Sequence, residues 1–396
     1  MTAITLIALA LSVASIGLVW TRLTVPKFAL SIALLFAHLG ACIYNYNYTL
    51  SHISDSYAYY YDPFNYWNQP WGMSTVLVTQ ITHILRFSFG ATYLDCFLLF
   101  QTFSMAGVAI LARMFGEISE KIGVQERQEY LAILFLPSLH FWTVAIGKDS
   151  PLLFGISLCL WAMLNLRKRV FYFCLSILVM VLFRAHIALM AIISIGAAAF
   201  FGSSVRFSRK IAVVGIALAG VILVLGPVQR TISADVTSVS SVADFFTKQS
   251  DLGARFAGTT SIGQVGFAMR LVSLLFRPLF FDAIGFLGIL ASAENVLVVI
   301  TVLYMIANAR NLKLLLQRVE FIRFIFVFSV LLLLSLALVY YNIGLGLRQR
   351  VMAYPMVFSL LVALWSLKRK QKLEAAHAHA TRLMVNANGN RALPEL

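Results

Sequence analysis

Long apolar runs alternate with short polar connectors along most of this 396-residue chain. A bilayer core takes about 20 apolar residues of helix to cross. Runs near that length recur at about 3–20, 28–44, 92–112, 130–146, 151–166, 170–183, 186–202, 211–226, 286–308, 324–341 and 351–367. The pattern predicts an all-α, polytopic transmembrane bundle of about 11 spans. A barrel would show alternating segments of about ten residues instead. The stretch 74–90 has apolar positions at helical spacing but carries Gln80, His83 and Arg86, which predicts an interfacial helix. Residues 1–367 form one transmembrane domain, with outer loops at 45–91 and 227–283, and the polar tail 368–396 reads as disordered.

Composition sharpens this picture. The chain is 60% hydrophobic and 12% charged, against about 25% charged in a soluble domain. A net charge of +15 would suggest nucleic acid in a soluble protein. Here it concentrates in connectors such as Arg167–Arg169, Arg206–Lys210 and Lys368–Lys372. The bias of basic residues toward the cytoplasm then sets the N-terminus outside and the C-terminus inside. The four cysteines, Cys42, Cys96, Cys159 and Cys174, lie isolated in apolar runs and offer neither metal spacing nor a disulfide signal. The first apolar run lacks a basic start and a cleavage site, so it reads as a true span. No nucleotide-binding or esterase motif occurs, and the sequence calls for no cofactor and no metal.

Ten of the 31 Lys and Arg residues fall on the outer side, against that bias. Lys148, Arg184, Arg277, Arg348 and Arg350 sit at or near span ends. A charge at the edge of hydrocarbon is costly and points to function. Five such cations on one leaflet suit a multiply anionic headgroup, since guanidinium forks bind phosphate oxygens two at a time. The plain alternative is that each reaches out to lipid phosphates. Three outer carboxylates are candidate general bases for a hydroxyl nucleophile: Asp55, Asp62 and Asp149. Each has a structural alternative. Asp55 could cap a helix in SDSYAYYY, Asp62 could open a turn before Pro63, and Asp149 could pair with Lys148. Eight of the 15 tyrosines fall between Tyr44 and Tyr66, and no Lys or Arg occurs from Asn45 to Leu85. Tyr59, Tyr60 and Trp67 could stack on sugar rings, or belong to an interfacial aromatic belt.

The order of motifs resembles a family. An acidic, aromatic outer loop is followed by PSLHFWTVAIGKDS (137–150), FRAH (183–186), FRP (276–278), AEN (293–295) and YNIGLGLRQRVMAYP (341–355). This is similar to bacterial exopolysaccharide and O-antigen polymerase-like membrane proteins of the Wzy or EpsG type, which in turn resemble GT-C glycosyltransferases. The likeness covers most of residues 45–360. It implies a GT-C-like fold in a bacterial inner membrane and a glycan donor on a polyprenyl diphosphate. It also implies that Asp55 is catalytic and that the five outer cations hold the donor phosphates. Polysaccharide export or chain-length proteins would be partners, and nucleic acid would not. Two departures stand out: the acidic loop follows the second span, and Asp55 and Asp62 are seven apart. Two other readings stay open. One is a flippase of lipid-linked glycans. The other is an O-antigen ligase-like transferase, in which His186 beside Arg184 would touch the glycan.

Overall fold

Backbone inside a bilayer must satisfy its own hydrogen bonds, and an apolar chain does so by forming helices. The structure, a computed structural model, describes all residues except 1, 20–24, 126, 203–206, 233–237, 239, 242–243, 246, 249–264, 284, 340–341 and 390–396. It is all-helical, with no strand among the described residues. The helices are α1 (Ala3–Val19), α2 (Val25–Ser51), α3 (Asp55–Tyr61), α4 (Thr75–Phe89), α5 (Tyr93–Ile122), α6 (Pro137–Thr143), α7 (Asp149–Met163), α8 (Leu166–Phe200) and α9 (Phe207–Ile232). After them come α10 (Phe267–Phe276), α11 (Gly285–Ala307), α12 (Ala309–Arg318), α13 (Glu320–Val339), α14 (Ile343–Arg350) and α15 (Tyr354–Gly389). Among the described residues, seven helical stretches are long and apolar enough to cross a membrane. Several apolar helices of this kind make a multi-pass membrane protein.

A helix forms over the stretch 74–90 as α4, and the first two apolar runs form α1 and α2. Four boundaries differ from the sequence reading. Helix α2 continues to Ser51, so Asn45–Ser51 is helix rather than loop, and α5 runs on to Ile122 instead of ending near 112. The apolar run 130–146 is not one helix. It splits into a 3-10 stretch (Gln128–Phe135), the short α6 and an irregular segment that leads to Asp149. Pro137 opens α6 because it lacks the N–H that a continuing helix would need. The expected tail at 368–396 is helical as far as Gly389, and 390–396 lie outside the described residues. Arg255, Asp235 and Asp251 of the long outer loop also fall outside them.

A fifth difference positions the site. The runs 170–183 and 186–202 appear as one helix, α8, but Arg184 has φ −151° and ψ 80°, which is not helical. A straight helix of 35 residues would be about 52 Å long, far more than one bilayer crossing. Contacts show that the chain reverses at Arg184. Before it, α8 runs antiparallel to α7: Gly155 packs against Met180, and Arg169 lies over Trp161. After it, Gly196 meets Ala217 and Ile192 meets Gly220 on α9, and the Arg323 Nε–H donates to the Ala198 carbonyl.

Helices α5 and α7 run side by side in one direction: Gly107 touches Leu153 and Phe154, and the Trp161 indole donates to Glu117 at 2.9 Å. One end of the bundle therefore gathers Asp55, Ser74, Lys148, Arg184 and Arg348. The other holds Arg169, Arg323 and the contacts of α15 with Asn311 and Gln125.

Gly107 makes the α5–α7 approach possible. A Cβ there would lie 3.0 Å from the Phe154 amide nitrogen and 3.1 Å from the Leu153 carbonyl. Small residues let membrane helices pack this closely. Gly107→Val should cost about 1–3 kcal/mol through overpacking, read as a lower melting temperature in detergent. Since α7 begins at Asp149, the same substitution should also disturb the site.

Candidate active site

Three segments converge at the start of α7. Ser54 caps α3 by accepting the Tyr57 N–H, so the cap falls to Ser54 and Asp55 is the first helical residue. Asp149 opens α7, and its carboxylate lies below the surface, its side chain 4% exposed. It accepts from the Arg184 Nη2 at 2.8 Å and from the Arg348 Nε. The same Arg348 donates through Nη1 to Asp55, whose side chain is 57% exposed. The chain of charges is thus Arg184, Asp149, Arg348, Asp55. Its buried members are fixed and its last member faces solvent. Asp149 pairs with arginines rather than with Lys148, its neighbour in sequence.

Lys148 instead donates to the Thr75 hydroxyl at 3.1 Å and the Ser74 hydroxyl at 3.4 Å. Burial, reinforced by Arg184, pulls its ammonium down to about 8. Tyr59 is buried beside Gly147, whose position leaves 3.5 Å between a would-be Cβ and the Tyr59 ring. Burial and the nearby Asp55 push its phenol up to about 12. The Tyr59 ring and the Arg348 guanidinium both pack close to the Gly147 backbone.

Asp55, Asp149 and Arg348 line a cavity of about 890 Å³, walled also by Tyr48, Phe141 and Trp142. Those three aromatics line a second cavity too, of about 520 Å³, between α2, α6 and the start of α11. Its other walls are mainly apolar, among them Ala37, Tyr44, Phe286 and Leu290. A chamber that carries the charged groups and a mainly apolar slot thus share one wall.

Of the five outer cations, three gather here: Lys148, Arg184 and Arg348. The other two form a second knot. Arg350 is buried, donates to the Leu274 and Leu275 carbonyls and to Asn295, and lies over the Tyr354 ring. Tyr354 and the Ser138 N–H both donate to Glu294. Arg277 forks onto Asp282, five residues on, and holds that carboxyl below its usual range. These contacts tie α6, α10, α11, α14 and α15 together. The expected convergence of five cations is therefore a convergence of three.

Asp62 sits at the left-handed end of α3, and its two oxygens accept the Tyr66 and Trp67 N–H groups at 2.8 and 2.9 Å. Its turn-forming alternative is the arrangement seen. Asp62→Asn should lose one backbone acceptor, cost about 1 kcal/mol and leave turnover unchanged; turnover and melting temperature measured together check this. Tyr60 donates to the Ala91 carbonyl and lies under Arg86. Trp67 stacks on His83 with ring centroids 4.0 Å apart. Neither lines the charged cavity. His186 lies beside Arg184 and Lys148, and its Nδ1 is buried without a hydrogen-bond partner.

Ser74 and Thr75 escaped the sequence reading. Ser74 has φ +61°, unusual for a residue with a side chain, and nothing in the letters around it signals that. No metal-binding cluster occurs among the described residues. No family model matches the chain, and no curated protein or solved structure does either.

Proposed function

We propose that the protein is a membrane glycosyltransferase of the polysaccharide polymerase type. It joins glycan units carried on a polyprenyl diphosphate. One observation carries the reading: an exposed carboxylate, Asp55, shares Arg348 with a buried one, Asp149, in a cavity that adjoins an apolar slot. Lipid-linked sugar chemistry needs this set. The polyprenyl tail lies in the slot and the diphosphate faces Arg184, Arg348 and Lys148. The glycan occupies the larger chamber with its aromatic walls.

In the reaction an acceptor hydroxyl forms a bond to the anomeric carbon while the bond from that carbon to the diphosphate oxygen breaks. Asp55 takes the hydroxyl proton. Negative charge builds on the leaving oxygen, and prepositioned cations stabilise it there more than in the ground state. Asp149 is the anchor that aims Arg184 and Arg348.

The bundle is read as GT-C-like with eleven crossings. They comprise the seven long stretches with α8 counted twice at its Arg184 reversal, α1, α7 and the broken 128–143 element. The basic connectors 166–169 and 368–372 lie at the end of the bundle away from Asp55. That distribution favours the site at the outer face of a bacterial inner membrane, the N-terminus outside and the C-terminus cytoplasmic.

The test is to supply purified protein in nanodiscs with a polyprenyl-diphosphate oligosaccharide and follow product length. Ladders of joined units are expected. Translocation of the intact lipid-linked substrate in liposomes, with no glycosidic bond made, would replace this reading with a flippase. Transfer to a lipid A–type acceptor without self-polymerisation would make it a ligase.

A further inference from the structure

Among the described residues, Lys148 is the one cation of the cluster that makes no ion pair. Its hydrogen bonds go only to two neutral hydroxyls, those of Ser74 and Thr75. A largely buried ammonium with no direct ion pair is costly; around it Arg184 and Arg348 oppose its charge while Asp149 and Asp55 favour it. Ser74 and Thr75 begin α4, a helix of 15 residues whose first N–H groups have no helical acceptor. Ser74 stands at the capping position but its side chain makes no capping bond. The positive end of the helix dipole is thus left open toward Lys148.

A second observation is independent of that helix end. The Nε of Arg184 and the Nδ1 of His186 are fully buried and lack any hydrogen-bond partner. Both residues lie close enough to Lys148 to act on it or be acted on by it electrostatically. The backbone is built to hold this arrangement. The Arg184 break frees the Leu182 carbonyl, which accepts the Ser74 N–H at 2.8 Å. Ser74 makes that bond from a conformation with φ +61°. Strain of this sort persists where the surroundings enforce it, commonly at working sites.

We infer that Ser74, Thr75, Lys148 and Arg184 form a seat for one phosphate group of a lipid diphosphate, separate from the Arg348 contact. This rests on the transferase reading and deepens it by dividing the headgroup. One phosphate is taken by the start of α4 with Lys148 and the Arg184 Nε, and the other meets Arg348 beside Asp55. His186 borders the seat, its buried Nδ1 without a hydrogen-bond partner.

The experiment is calorimetric titration of the full chain in detergent with farnesyl diphosphate, with inorganic pyrophosphate as competitor. Farnesyl diphosphate is expected to bind, and pyrophosphate to displace it. Thr75→Val and Lys148→Gln should each weaken binding about tenfold, the loss of one hydrogen bond to a charged group. Lys148→Arg, which keeps the charge, should bind like wild type at pH 7.

The pH profile gives a readout that a merely structural role would not move. Lys148 faces Arg184, Asp149, Arg348 and Asp55, with His186 nearby, and its ammonium sits at about 8. It carries its charge below that pH and loses it above, so wild-type affinity should fall as pH rises through about 8. The Lys148→Arg variant should show no such fall.

Wild-type binding that Thr75→Val and Lys148→Gln leave unchanged would overturn the seat and leave the transferase reading standing. Binding with the expected losses, in a protein that joins no glycan, would support the seat and remove the transferase reading. Failure of farnesyl diphosphate to bind the wild type would overturn the seat outright.

Discussion

Replacing Asp149 by asparagine is expected to leave the protein inactive and much less stable. The carboxylate is 4% exposed and faces two guanidinium groups, the Arg184 Nη2 and the Arg348 Nε. Arginine cannot shed its proton to escape a bad environment. Without the anion, Arg184 is left against a neutral amide and Arg348 keeps only Asp55. Breaking a buried pair in this way typically costs about 3–5 kcal/mol, a large share of the 5–15 kcal/mol that holds a typical protein folded. Asparagine keeps the shape, so lost packing does not explain the result. Melting temperature and chain-length ladders should both collapse, and a small loss of stability with full activity would show that the arginines are aimed by something else.

Asp55→Asn should behave in the opposite way. Asp55 is 57% exposed on a helix of seven residues, and an exposed ion pair is worth little to stability. Its removal should therefore leave the melting temperature and expression unchanged. Transfer should fall by about 10²–10⁴, the usual contribution of a positioned base. Product ladders in cells making a long-chain surface glycan are the direct measure. Normal ladders at normal protein levels would remove Asp55 from the chemistry. Together the two variants separate an anchor from a base, roles that the sequence left interchangeable.

Much of the fold was legible because membrane helices announce themselves by composition alone. Even the reversal in α8 showed, since Arg184 and His186 interrupt an apolar run between 170 and 202. The break near 137 did not, because the 3-10 stretch and α6 are as apolar as a span. Only Pro137 and the approach to Gly147 hinted at it.

The site was partly legible. Basic residues at or near the ends of apolar runs pointed to Lys148, Arg184 and Arg348. The pairing of Asp149 with Arg348, 199 residues apart, is a tertiary fact that one sequence does not encode locally. Grouping Arg348 with Arg350 overlooked available geometry. Residues two apart on a helix point about 200° away from each other. One therefore enters the cavity and the other the packing knot around Asn295. Arg277 was likewise claimed by a local partner, Asp282.

The double grip of Arg348 has a kinetic consequence. Its Nη1 donates to Asp55. On the transferase reading, a donor phosphate at Arg348 competes with the Asp55 carboxylate for that guanidinium. Donor binding would then release Asp55 to act as a base, so the proposal predicts that donor loading precedes acceptor activation.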